Sequence, residues 1–280
     1  SVNKTKIEWC DYTWNPVTGC LHKCEYCYAR RIAKRFGKID DSGIIMKYSK
    51  GGELSEPLYY QDRNGEMRIN PYPYKFFPTF HKYRLNEPQQ VKKPSKIFVS
   101  SMGDLFGEWV PDEWIEQVMN VVKQCPQHTF MFLTKNPYRY YNWFGYDIEN
   151  IPQNCWIGAS ADNANDTHVR SEELAFMKAT VRFISFEPLF EDVVEYVDWD
   201  ALDWVIVGAQ TGPGRKETRK EWVENILSYA EAYNIPVFLK DNLNWPEKIQ
   251  NWPKMWIEDK VRYAQQVLGE ESEKVKQDNQ

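Results

Sequence analysis

Trp204-Val205-Ile206-Val207-Gly208 sets four apolar residues in a row, three of them valine or isoleucine, with no polar alternation. A strand buried on both faces has this composition, as in a parallel sheet covered by helices. The same kind of run recurs at Ile97-Phe98-Val99-Ser100, Thr129-Phe130-Met131-Phe132-Leu133, Trp156-Ile157-Gly158-Ala159, Val181-Arg182-Phe183-Ile184-Ser185 and Pro236-Val237-Phe238-Leu239. Between the runs lie amphipathic stretches. Ile115, Val118, Met119 and Val122 share one helical face, with Asp112 as the expected N-cap. Ala164 to Lys178 predicts a second helix, and Trp222, Ile226, Tyr229, Ala230 and Tyr233 predict a third with Thr218 as its cap. An earlier unit fits the same scheme: a strand near Trp9 to Val17, a cysteine loop, then a helix from Tyr28 to Phe36 closed by Gly37. Strands recur every 25 residues or so, roughly the spacing of repeated βα units. The expectation is an α/β protein with about six or seven βα units in a full or partial parallel barrel of the TIM type. A doubly wound open sheet is the alternative.

The chain has 280 residues, 42% of them hydrophobic, enough for one large domain. We expect a single barrel domain over residues 1–269 and a charged tail over 270–280. Residues 38–93, rich in Pro, Gly and Tyr, read as an insertion after the first helix, with a small hairpin around Asn64-Gly65. The net charge of −5, with both signs interspersed, speaks against a dedicated duplex-binding domain. No stretch approaches the length of a membrane span, and the polar start, Ser1 to Lys6, predicts no signal peptide. The six cysteines, three clustered and three scattered, fit a metal site in a reducing cytoplasm better than an extracellular disulfide scaffold.

In barrels of this kind the site forms where strands end. The expected strand ends carry Ser100-Ser101-Met102-Gly103-Asp104, Thr134-Lys135-Asn136, Ser160 with Asp162-Asn163, Ser185-Phe186-Glu187-Pro188, Gly208-Ala209-Gln210 and Lys240-Asp241-Asn242. The first strand runs into Gly19-Cys20-Leu21-His22-Lys23-Cys24-Glu25-Tyr26-Cys27-Tyr28. Three thiols so close together are soft ligands suited to an iron–sulfur cluster, zinc or copper(I). A cubane cluster normally takes four cysteines, so three would leave one iron open. The zinc alternative makes His22 the fourth ligand. Cys10, Cys125 and Cys155 read as structural, and His81, His128 and His168 lack metal-ligand spacing.

The Cys-x3-Cys-x2-Cys spacing, with aromatic Tyr26 before the last cysteine, resembles the signature of the radical S-adenosylmethionine (SAM) enzymes. That resemblance implies a [4Fe-4S] cluster on Cys20, Cys24 and Cys27. SAM would chelate the open iron, and an external one-electron reductant would drive its cleavage to a 5′-deoxyadenosyl radical that abstracts hydrogen from a substrate. Further segments are similar to a bacterial and phage-encoded radical-SAM-like family: Ile7-Glu8-Trp9, Thr13-Trp14-Asn15-Pro16-Val17-Thr18-Gly19-Cys20, Met102-Gly103-Asp104-Leu105-Phe106, Leu133-Thr134-Lys135 and Glu187-Pro188-Leu189. This chain departs from that pattern at Cys10, where Thr is typical, and at Ala209-Gln210, where Gly-Glu is common.

Carried over residue by residue, the resemblance puts Tyr26 beside adenine and makes Gly103-Asp104 the element that receives the SAM amino group. It makes Lys135 a partner for the SAM carboxylate, Ser160 a ribose ligand, Glu187 a ribose or substrate ligand, and Gly208 a point of close backbone approach to adenine. Glu187 and Lys135 are also the catalytic candidates. The plainer readings are a turn cap for Asp104, a solvated loop lysine for Lys135 and a helix cap for Ser160. The substrate expectation is a nucleotide or nucleic acid. The competing reading is a nucleic-acid-binding accessory protein with zinc or an inert cluster, its bases stacking on Tyr72, Tyr74 or Phe77 among Arg63, Arg68, Lys75, Lys82, Arg84, Lys92 and Lys93.

Overall fold

The computed structural model describes residues 2–37, 52–145 and 151–254. The predicted tail, 270–280, and the first part of the predicted insertion lie outside them. Thirteen strands are present among the described residues: β1 (Asn3–Lys4), β2 (Tyr12–Trp14), β3 (Val17–Thr18), β4 (Gly52–Leu54), β5 (Tyr59–Gln61), β6 (Met67–Ile69), β7 (Thr79–His81), β8 (Lys96–Val99), β9 (Thr129–Thr134), β10 (Cys155–Ser160), β11 (Val181–Phe186), β12 (Trp204–Val207) and β13 (Val237–Leu239). Five α-helices accompany them: α1 (Tyr28–Phe36), α2 (Asp112–Gln124), α3 (Tyr138–Phe144), α4 (Ala164–Ala175) and α5 (Lys220–Ala232).

The main sheet runs β1-β2-β8-β9-β10-β11-β12-β13 and is parallel throughout except for the β1–β2 pair. The apolar runs became strands because every residue in them is buried or nearly so, as β8 and β12 show by having no exposed position. The sheet does not close, so a full barrel is not formed among the described residues. The reason lies in its edges. β2 already pairs with β1, and β13 spends its outer edge on the segment that follows it: Leu239 N–H donates to Ile249 O at 2.7 Å and Asn251 N–H to Val237 O at 3.0 Å. Between these edges the Glu8 side chain makes a link. Glu8 Oε1 accepts from the backbone N–H of Asp241 at 2.7 Å and from Gln250 Nε2 at 3.3 Å.

The sheet is nonetheless strongly curled. The Trp9 ring lies 4.6 Å from that of Phe98 on β8 and 6.4 Å from that of Trp204 on β12. Four strand spacings in a flat sheet would hold those strands about 19 Å apart. Trp9 thus fills a concave face with Phe98, Met131, Trp156, Phe183, Trp204 and Phe238, and among the described residues no helix joins that cluster. Ile115, Val118 and Val122 of α2, Tyr140 of α3, Leu174 of α4 and Ile226 of α5 all pack on the other face. Among the described residues the helices lie on one face, where a doubly wound sheet carries them on both.

Two caps differ from expectation. Pro111, not Asp112, is the N-cap of α2, and Asp112 is its first helical residue. Arg219, not Thr218, caps α5, because the Thr218 hydroxyl donates to Leu189 O instead. The expected first strand breaks into β2 and β3, which enter different sheets. Pro16 has no N–H to continue a ladder. The residue before it, Asn15, turns its side chain to accept from Met102 N–H at 2.8 Å.

The predicted insertion supplies β4 to β7. β5 and β6 form the expected hairpin, with Gly65 at φ 82° in its turn. β7 pairs with β3 and β4, which pins the insertion against the start of the chain. There Thr18 Oγ1 and His81 Nε2 lie 2.8 Å apart in the interior. Burial, and next the charge of Arg84, hold His81 well below the ordinary histidine pKa. No described helix is long and apolar enough to cross a membrane.

Candidate functional site

The cysteine loop begins where β3 ends, at a crossing of two glycines. Gly19 and Gly103 form a parallel bridge, and Gly19 N–H donates to Met102 O at 2.9 Å. Gly19 has φ 87°, and a Cβ there would sit 2.2 Å from the carbonyl oxygen of Phe77. A Cβ on Gly103 would lie 2.9 Å from Gly19 O. Only glycines let these backbones approach, and the approach seats the loop over the end of the sheet. At the other end of the loop Cys27 is the N-cap of α1, its Sγ accepting from Arg30 N–H at 3.4 Å. The cap sets this sulfur at the N-terminus of α1, where the helix dipole favours negative charge.

Cys20, Cys24 and Cys27 are free thiols that line one cavity of about 610 Å³. Burial, followed by the negative charge of Asp104, pushes the Cys20 thiol up to about 12. Cys10, Cys125 and Cys155 are buried elsewhere and do not line this cavity.

Every residue expected to serve the site, apart from Gly208, lines the same cavity: Tyr26, Gly103, Asp104, Lys135, Ser160 and Glu187. Gly208 lies just behind its wall. A Cβ there would be 3.0 Å from both Glu187 Cγ and Lys240 Cδ. Asp104 is 4% exposed and well supplied with donors. Its Oδ2 meets His22 Nε2 at 2.8 Å and Lys135 N–H at 3.1 Å, and its Oδ1 accepts from Phe106 N–H at 3.1 Å. The turn-cap reading of Asp104 therefore describes one of its oxygens. Lys135 is not a solvated loop lysine. Its Nζ donates to Tyr26 OH at 2.5 Å and to Asp162 Oδ2 at 3.1 Å, and lies 5.1 Å from the centre of the Tyr26 ring. Nor is Ser160 a helix cap, since Asn163 caps α4 by accepting from Asp166 N–H.

Two residues that sequence reasoning did not single out complete these contacts. Asp162 accepts a short hydrogen bond from Tyr26 OH in addition to that from Lys135. Burial opposes its ionisation most strongly. The Lys135 charge and hydrogen bonds from Tyr26, Lys135 and Asn163 outweigh that and lower its pKa, while burial and then Asp162 raise that of Tyr26. Lys240 makes a short ion pair with Glu187 across Gly208. Both residues stood in the strand-end motifs. What was missing was their reach, Lys240 from β13 to the end of β11 and Asp162 from β10 back to the cysteine loop.

The cavity fits a bound group. Trp9 Nε1 and Ser185 Oγ belong to residues that line it, both are buried, and neither has a hydrogen-bond partner. Such atoms are costly unless something meets them. A lone zinc ion draws thiolates to about 2.3 Å. Among the described residues no three His, Cys, Asp or Glu side chains converge on one ion, and His22 gives Nε2 to Asp104. Three thiols around a cavity suit a polynuclear group.

A family model described as "Protein of unknown function (DUF5131)" matches residues 4–276. The chain belongs to the DUF5131 family. No curated protein matches. Among solved structures, a doubly substituted spore photoproduct lyase with bound AdoMet and dinucleoside spore photoproduct is similar at 9% identity, over 85% of this chain and 78% of that one, with a TM-score of 0.46. The same enzyme complexed with dinucleoside spore photoproduct gives the same figures. The DUF5131 match runs from Lys4, in β1, through β13 and includes the cysteine loop.

Proposed function

We propose that this protein is a radical SAM enzyme, in which Cys20, Cys24 and Cys27 hold a [4Fe-4S] cluster and SAM occupies the adjoining cavity. The observation that carries the reading is that three free thiols of one loop open onto a single cavity at the mouth of a curled parallel sheet. When bound, such a cluster would supply one-electron chemistry for reductive cleavage of SAM, with the electron coming from an external donor.

The chain's own residues bind and orient. Asp104 anchors the cysteine loop through His22 and keeps acceptor capacity for the SAM ammonium, because a carboxylate offers about four lone-pair sites and three are engaged. Lys135 and Asp162 fix the Tyr26 hydroxyl and so hold that ring in place beside the cavity that would take adenine. Ser160 and Ser185 keep the floor of the cavity small and polar beside Gly208, and Ser160 takes the ribose. Glu187, paired with Lys240, faces the ribose or the substrate. The substrate that gives up hydrogen is a nucleotide or nucleic acid in this reading.

The test is anaerobic reconstitution with iron and sulfide. The wild type should take up about four irons per chain and release 5′-deoxyadenosine with SAM and dithionite. The triple change Cys20→Ala, Cys24→Ala, Cys27→Ala should do neither. Release of 5′-deoxyadenosine by that triple variant would sink the proposal.

A further inference from the structure

Three of the basic side chains first suspected of meeting nucleic acid are occupied. Arg68 pairs with Asp62 and Glu66, Lys82 with Glu53, and Arg84 donates to Asn15 O and Pro71 O. The fold assembles a different basic surface at the rim of the cavity. Helix α1 carries Arg31, Lys34 and Arg35 exposed and has no acidic residue along its length. The loop after β12 carries exposed Arg215, Lys216 and Arg219. The two are fastened together: Arg31 Nη2 donates to Thr211 O at 2.9 Å, and the loop lies so flat on that guanidinium that a Cβ at Gly212 would fall 2.6 Å from Nη2. Lys34 and Arg35 also offset the negative end of the α1 dipole, but that accounts for nothing on the opposing loop.

Among the described residues no acidic side chain forms an ion pair with Arg31, Lys34, Arg35, Arg215 or Lys216, while Arg219 and Lys220 meet Glu221 and Glu224. Two of the cations lie against aromatic rings, Arg35 at 5.3 Å from the centre of Phe36 and Lys216 at 5.4 Å from that of Phe190. Phe36 is 49% exposed. The surface is continuous with the cavity, since Ile32 of α1 and Gln210 and Thr211 of the loop line it.

We propose that α1 and the 211–219 loop form a docking strip for single-stranded nucleic acid, which feeds one nucleotide into the cavity. Exposed cations beside rings, without an acidic partner among the described residues, suit a flexible strand, whose phosphates and unstacked bases meet both at once. A stiff duplex has its bases stacked inside and offers the rings nothing. The strip stands on its own as a binding surface, and its delivery of a substrate rests on the radical SAM reading.

The test is fluorescence anisotropy of a labelled single-stranded DNA 12-mer and its RNA counterpart with the full chain, with and without reconstituted cluster, against the same DNA as duplex. The single strand should bind tighter than duplex, and log K should fall with log salt by about 0.7 for each phosphate met. Arg35→Glu with Arg215→Glu should weaken binding at least about tenfold and flatten the salt slope, and Arg35→Gln with Arg215→Gln should flatten it in part. Lys178→Glu, on an exposed lysine of a different face, should leave both unchanged. No binding, binding that the reversals do not weaken beyond the Lys178 control, or a preference for duplex would overturn the inference. If the same preparation still releases 5′-deoxyadenosine from SAM, the cofactor reading survives that failure. If the strand binds but no 5′-deoxyadenosine forms, the strip stands and the cofactor reading falls.

Discussion

His22 Nε2 lies 2.8 Å from Oδ2 of Asp104, which joins the middle of the cysteine loop to the end of the second parallel strand. The carboxylate also accepts from Lys135 N–H, so one buried group sets the spacing of the first three strand ends. Groups that orient metal ligands from outside the ligand set matter nearly as much as the ligands. Asp104→Asn and His22→Ala should each lower iron retention after anaerobic desalting by roughly tenfold, with an altered electron paramagnetic resonance spectrum. His22→Gln, which can still donate to Asp104, should restore most of it. Retention equal to wild type in both damaging variants would remove the anchoring role.

The Lys135–Asp162 pair is partly buried, at 16% and 13% side-chain exposure. Removing one partner deprives the other of its countercharge, which costs up to about 3 kcal/mol. Lys135→Met should lose that much stability in urea unfolding, and Lys135→Met combined with Asp162→Asn should lose less than the two single changes together. Strict additivity would mean that the pair is not coupled.

Gly19→Ala brings a methyl group into the Phe77 carbonyl and forces an L-residue into left-handed backbone. We expect a loss of about 2 kcal/mol or more, since strain of this kind costs about 1–3 kcal/mol before any steric overlap is counted. Thermal unfolding measures it. An unchanged midpoint would show that the crossing of Gly19 and Gly103 is not fixed.

His81 is held neutral in the folded protein, with its pKa below the unfolded value. His128 behaves likewise: burial lowers it, and Nδ1 accepts from Ser95 N–H, which leaves Nε2 to donate to Pro88 O. A depressed folded pKa gives stability that is present above the unfolded pKa, about 6.5 for histidine. It is lost as pH falls below that, because the unfolded chain takes up protons first. Urea midpoints should therefore fall between pH 7 and pH 5, and His81→Gln should flatten the decline. A midpoint that rises on acidification over that range would contradict the assignment.

Much of the fold was legible because strands buried on both faces need uninterrupted apolar runs, and Val181 to Phe186 or Trp204 to Val207 can be little else. Helix α3 was not legible. Tyr138-Arg139-Tyr140-Tyr141-Asn142-Trp143-Phe144 is aromatic almost throughout, so no apolar stripe stands out against a polar face. Closure was not legible either, because it depends on what occupies the outer edges of β2 and β13, and the 249–251 segment carries no strand-like run. Of the site, the thiols and strand ends could be read from spacing. The pairings of Tyr26 with Asp162 and of Glu187 with Lys240 span 136 and 53 residues, and no local pattern encodes them.

The carboxylate of Glu8 has a mechanical consequence. Where neighbouring strands elsewhere are stitched by a ladder of amides, this seam is buttoned by one acceptor with two donors. Opening it breaks those bonds and the packing of Trp9 on Trp204, and leaves every strand pairing intact. We expect the flank beside Trp9 to open before the strand ladders do, and exchange of the Asp241 amide with solvent is the measurement that follows it.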